Sequence, residues 1–226
     1  MELSYWRSKW RKGNIGFHME NGYPGLAKHW NSLDFNDHSA VLVPLCGKSK
    51  DLIWLSEHCQ KVVGVEISEL AVEQFLDENS LRAKTSFFAD FKIYQTKNIE
   101  LWNGDFFKLP KKNLPTFDLV YDRAALVALP PDMRQRYAAK ILNLISTNTQ
   151  ILLHHFEYQQ REMAGPPFSV SVDEINKLYG HCFHLQILEK QDLDINYYKK
   201  FQNQGLQSYF IEILSLLLPN KEESTN

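Results

Sequence analysis

The chain has 226 residues, a formal net charge of −2, 44% hydrophobic residues and 23% charged ones. That length suits a single α/β domain with a real core, since folding should bury roughly 70% of the unfolded surface. The near-neutral charge, the lack of a long apolar run and the charged opening MELSYWRSKW argue against nucleic-acid recruitment, a membrane-spanning helix and a secretory leader.

In chain order, Tyr5 to Arg11 reads as an amphipathic helix with Trp6 and Trp10 four apart on one face. KGNIGFHMENGYPG follows as irregular chain and LAKHWNSL as a short helix, so residues 1–39 are expected to form a helical cover. Strand one is Ala40 to Leu45, and Asp51 to His58 is a helix whose DLIWL supplies the buried side. KVVGVEI, apolar almost throughout, predicts a strand covered on both faces. Ser68 is placed to cap the helix ELAVEQFLDEN, with Glu69 in its first turn.

FKIYQTKNIELWNGD holds two alternating runs around Thr-Lys-Asn, a hairpin pattern, and FDLVYD is the next strand. Pro130-Pro131 opens the helix DMRQRYAAKILNLI, because proline suits a first helical turn. QILLHHFEY is a strand, and SVDEINKLYG is a helix that Gly180 ends as a C′ residue. CFHLQILEK and QSYFIEILSLL close the chain as strands paired antiparallel, before a flexible polar tail from Pro219. The pattern predicts one α/β domain: a Rossmann-like, seven-stranded, mostly parallel sheet over 40–218, with helices on both faces and the last strands antiparallel. This is the layout of class I methyltransferases.

The stretch VLVPLCGKSKDLIWL runs from strand through a glycine turn into a helix. A phosphate-binding loop needs a glycine five residues before its Gly-Lys pair, and that position is Leu42, inside the strand. A dinucleotide fingerprint needs two further glycines, and Lys48, Ser49 and Lys50 follow Gly47 instead. What persists is an acid, Glu66, nineteen residues after Gly47 at the end of the next apolar strand. There it can accept two hydrogen bonds from a ribose diol. Adenosine without phosphate describes S-adenosylmethionine, the expected cofactor, with S-adenosylhomocysteine as its product. Asp105 is placed near an adenine amino group or as an ordinary turn residue. Asp122-Arg123 lies where such sheets present groups to the reacting centre, with a plain salt bridge as the alternative.

The segments PLCGKS, VVGVE, YDRAAL and the N-terminal YWRSKWRKGNIGFH resemble the thiopurine S-methyltransferase family, particularly its bacterial members. The resemblance runs from Trp6 to the GPPFSV loop at 165–170. It implies transfer of a methyl group to the thiol of an aromatic or heterocyclic compound, with selenium and tellurium compounds as further acceptors. It also implies donor contacts at Trp10, Leu45, Glu66 and Arg123, with Gly47 in the bend, and an acceptor contact at Phe17. Phe168 is a further candidate for the aromatic cover. Arg123 is the candidate catalytic residue, favouring a thiolate.

Two other functions stay open: a non-catalytic S-adenosylmethionine-binding module and a P-loop nucleotide hydrolase. Three cysteines without a CxxC spacing argue for a reducing cytoplasm. His154-His155 and His181-x-x-His184 fall on predicted strands without metal-ligand spacing, so no metal is expected. The partner is expected to be a small thiol, with neither nucleic acid nor membrane, and the chain a monomer.

Overall fold

The computed structural model describes residues 3–34, 39–194 and 199–220. It divides into two compact units, 1–121 and 122–226.

The first unit opens with α1 (Leu3–Arg11) and α2 (Pro24–His29), the latter continued by a 3-10 turn at Trp30–Ser32. Its sheet holds β1 (Ala40–Pro44), β2 (Lys61–Glu66), β3 (Lys84–Phe88), β4 (Phe91–Gln95), β5 (Ile99–Asn103) and the first three residues of β6 (Leu119–Arg123), whose last two fall in the second unit. Strand order is β3-β4-β5-β2-β1-β6. β1 pairs parallel with β2 and β6, and β2 pairs parallel with β5; β3 and β4 run antiparallel at the edge. Between strands lie α3 (Asp51–His58) and α4 (Glu69–Glu78). Val41, Leu42, Val62, Val63, Leu52, Leu55, Val72 and Phe75 are fully buried, which is why β1 and β2 read as continuous apolar runs. Each such side chain contributes about 1.5–3 kcal/mol by leaving water.

The second unit contains a 3-10 turn at Leu126–Ala128, α5 (Pro131–Leu144), β7 (Gln150–Tyr158), α6 (Val172–Tyr179), β8 (Phe183–Asp192), α7 (Lys199–Gln202) and β9 (Phe210–Pro219). β9 pairs antiparallel with both β7 and β8, with a register shift between Ile187 and Glu189. Tyr137 and Ile141 of α5 and Leu152, Ile213, Leu214 and Leu216 of the strands are all buried.

The α/β class and the antiparallel C-terminal strands match the sequence pattern, but the described residues hold nine strands rather than seven. The two additions are the antiparallel edge pair: β4, FKIYQ, one arm of the expected hairpin, and β3, KTSFF, four of whose five residues are exposed. A strand with no buried face carries no apolar alternation to read. Two caps also differ from expectation. Ser68 occupies the N-cap of α4, yet its side chain makes no capping hydrogen bond. Gly180 caps α6 in right-handed geometry, φ −61° and ψ −17°. Glycine is needed there for space, since a Cβ would stand 2.5 Å from the Asn176 carbonyl oxygen. Pro219 belongs to β9, and the rest of the polar tail, 221–226, lies outside the described residues.

Candidate functional site

The first unit gathers six of the predicted residues around the carboxyl ends of β1, β2 and β5. β1 passes into a bend in which Leu45 has φ 48° and Gly47 φ 55°. Left-handed backbone costs a side-chain-bearing residue such as Leu45 about 1–2 kcal/mol. The bend is held by the Cys46 N–H, which donates to the Val65 carbonyl at 3.0 Å. This path brings the Gly47 N–H to Glu66 Oε2 at 2.9 Å, while Oε1 accepts the Ser68 N–H at 2.7 Å.

Glu66 is 6% exposed. Burial pushes its carboxyl up to about 7, opposed by the backbone N–H groups of Ser68, Gly47 and Ile67. Each carboxylate oxygen has about two acceptor directions, and each has taken one N–H donor. Acceptor capacity is left for the hydroxyls of a diol. The chemistry of a ribose diol fits this carboxylate.

The bend also needs glycine for space. A Cβ on Gly47 would stand 3.1 Å from Cζ2 of Trp10, a buried residue of α1. Phe17 packs edge-on against both Trp6 and Trp10, with ring centroids 5.6 Å apart in each case, and stays 37% exposed. The two tryptophans do share one aromatic cluster, as their spacing of four suggested. Asp105 is tied to the same strand end through its neighbours: Asn103 Nδ2 and the Gly104 N–H donate to the Glu66 carbonyl at 2.9 and 3.0 Å. Its own Oδ1 accepts the Phe107 N–H at 3.0 Å, capping a 3-10 turn at Phe106–Lys108. One carboxylate oxygen thus has the turn role that the sequence left open.

Lys48 pairs with Glu78, and Lys50 donates to Asn79 Oδ1 at 2.7 Å. Both lysines of the Gly-Lys-Ser-Lys run are directed to the end of α4, away from the role a phosphate-loop lysine would need.

Arg123 and Phe168 lie in the second unit, both half-buried. Asp122, 1% exposed, accepts N–H bonds from Ala125 and Leu126 at 3.0 and 3.1 Å and the Tyr137 hydroxyl at 2.7 Å. Burial still raises it to about 6, against the lowering effect of those bonds. Asp122 thereby shapes the turn that follows Arg123, and Ala124 within it has φ 61°. Of the histidines, His154 pairs with Glu212, while His155 lies between the Val170 carbonyl at 2.8 Å and Ser215 Oγ at 3.0 Å. Burial lowers His155 to about 4. His181 is in a turn rather than on a strand. Among the described residues no cluster of three His, Cys, Asp or Glu could hold a metal ion, and no helix is long and apolar enough to cross a membrane.

Sequence reasoning missed Asp51. It is 2% exposed and accepts the Tyr23 N–H at 2.7 Å and the Tyr121 hydroxyl at 2.9 Å. It ties the N-terminal segment to the sheet. The only signal was an acid in the first turn of α3, which also suits the helix dipole.

Comparison with known proteins accords with this geometry. The family described as Thiopurine S-methyltransferase (TPMT) matches residues 1–216. A thiopurine S-methyltransferase of Pseudomonas fluorescens (strain SBW25) is 45% identical over 193 residues, covering 85% of this chain and 88% of the relative. One from Nitrosospira multiformis is 42% identical over 206 residues, covering 91% and 93%. Among solved structures, the Burkholderia thailandensis 1,6-didemethyltoxoflavin-N1-methyltransferase with bound S-adenosylhomocysteine aligns at a TM-score of 0.61. The two share 15% identity over 96% of this chain and 87% of that one, a likeness of fold alone.

Proposed function

The chain belongs to the thiopurine S-methyltransferase family, and from that premise we propose that it transfers the methyl group of S-adenosylmethionine to the thiol of aromatic or heterocyclic compounds. One observation carries the donor assignment: a buried carboxylate, Glu66, beside a one-glycine bend, bound to the Gly47 and Ser68 N–H groups with acceptor capacity to spare. S-adenosylmethionine supplies an electrophilic methyl group on a sulfonium. Glu66 holds the ribose, Leu45 and Gly47 shape the bend, Trp10 covers it, and Asp105 lies at the adenine side.

Thiolate and sulfonium attract before reaction and lose their charges as it proceeds, so a strong general base is not required. The protein's task is to align the sulfur with the methyl group and to exclude water, which can supply several kcal/mol. Arg123 contributes positive charge that favours the thiolate and helps hold the donor. Phe17 in the first unit and Phe168 in the second are each candidates for an apolar contact with the acceptor ring. The protein works in the cytoplasm as a monomer on small molecules, in keeping with its three free cysteines. A methylation assay with a thiopurine and radiolabelled donor tests the activity: labelled S-methyl product is expected. Donor binding without product from any thiol or selenol would favour a binding module instead.

A further inference from the structure

Arg134, on α5, is 1% exposed, a rare degree of burial for a charged side chain. Its Nε donates to the Leu129 carbonyl at 2.9 Å, and Nη1 reaches both carboxylate oxygens of Glu174 on α6 at 2.8 and 2.7 Å. Nη2 is buried with no hydrogen-bond partner among the described residues. An unpaired buried donor costs about 1–3 kcal/mol. A well-packed apolar side chain would therefore stabilise this place at least as well as a paired arginine. Packing alone does not account for Arg134.

The guanidinium lies over the ring of Phe168, 5.7 Å from its centroid. The backbone beside that ring is pinned independently. The Phe168 N–H donates to the Val127 carbonyl at 2.7 Å, and the Tyr158 hydroxyl donates to the Pro167 carbonyl at 2.7 Å. The Ser169 N–H meets Gln160 Oε1 at 2.9 Å. With the main chain fixed, the torsions of the Phe168 side chain remain to be set, and Arg134 is the cation over its face. Glu174 keeps 31% of its side chain exposed, so solvent screens its hold on the arginine and leaves cationic field for the ring.

We propose that Arg134 is a positioning residue for acceptor choice: its buried guanidinium fixes the Phe168 ring and so sets which aromatic thiols fit. The proposal rests on Phe168 being an acceptor contact.

The test is steady-state kinetics with one-ring and two-ring aromatic thiols, alongside donor affinity by calorimetry. Arg134→Gln should raise KM for the two-ring thiol about tenfold, with kcat and donor Kd within about twofold. Arg134→Lys retains a cation over the ring and should recover part of the loss, leaving KM about threefold raised. In a Phe168→Leu background, the Arg134→Gln change should have no further effect on acceptor KM. An undiminished effect in that background, or a parallel loss of kcat and donor affinity, would overturn the proposal. Should Arg134→Gln fail to fold, Arg134→Lys decides alone, and an unchanged acceptor KM refutes the role. If Phe168→Leu by itself leaves every acceptor KM unchanged, the assignment of Phe168 is wrong, although methyl transfer itself would stand.

Discussion

Donor binding should depend on pH chiefly through Glu66. Glu66 has a carboxyl raised by burial to about 7. A ribose diol donates to the ionised form, whereas the protonated form must place a hydrogen of its own and offers fewer acceptor positions. From a pKa of about 7, roughly nine tenths of the carboxyl is ionised at pH 8 and a tenth at pH 6. Affinity for S-adenosylhomocysteine should therefore fall about tenfold from pH 8 to pH 6, or about 1.4 kcal/mol, with proton release on binding near pH 6. Calorimetry in two buffers of different ionisation enthalpy reads both quantities. The neighbouring Cys46 thiol is pushed well above this range by burial and by Glu66, so it adds nothing between pH 6 and 8. Glu66→Gln should bind more weakly and lose the slope. A flat wild-type profile, or an identical slope in Glu66→Gln, would refute the reasoning.

The same carboxyl should tilt the stability of the ligand-free protein. Its folded pKa is raised from 4.5 to about 7, so the native state binds the extra proton and stability declines as pH rises through that window. The decline should reach roughly 3 kcal/mol, and urea midpoints of wild type and Glu66→Gln should converge toward low pH. Gly47→Ala combines φ 55° with a Cβ 3.1 Å from Trp10. It should lose about 1–2 kcal/mol in denaturant unfolding and bind donor more weakly; an unchanged protein would mean the bend tolerates a side chain. Arg123→Ala should weaken donor binding and reduce turnover, about tenfold or more in kcat/KM, and wild-type kinetics for both would remove Arg123 from the mechanism.

Much of this was legible because the informative residues carry local patterns. The apolar runs of β1 and β2 and the two prolines opening α5 declare themselves in the sequence. Glu66 could be singled out from its place at the end of an apolar strand after a single-glycine turn. The features that escaped depend on partners remote in sequence. Asp51 meets Tyr121 across 70 residues, and Arg134 meets Glu174 across 40. β3 escaped because its residues face water. Gly180 was recognised as a helix end, but the carbonyl that requires its missing side chain becomes visible only in three dimensions.

The central claim is that Glu66 grips the sugar of a phosphate-free adenosine donor. Calorimetric titration of wild type and Glu66→Gln with S-adenosylhomocysteine and its 2′,3′-dideoxy counterpart tests it most directly. Removing the hydroxyls should weaken wild-type binding by at least about tenfold, since hydrogen bonds to a charged group contribute about 1.5–3 kcal/mol each, and should matter far less to Glu66→Gln. Equal losses in both proteins would contradict the claim.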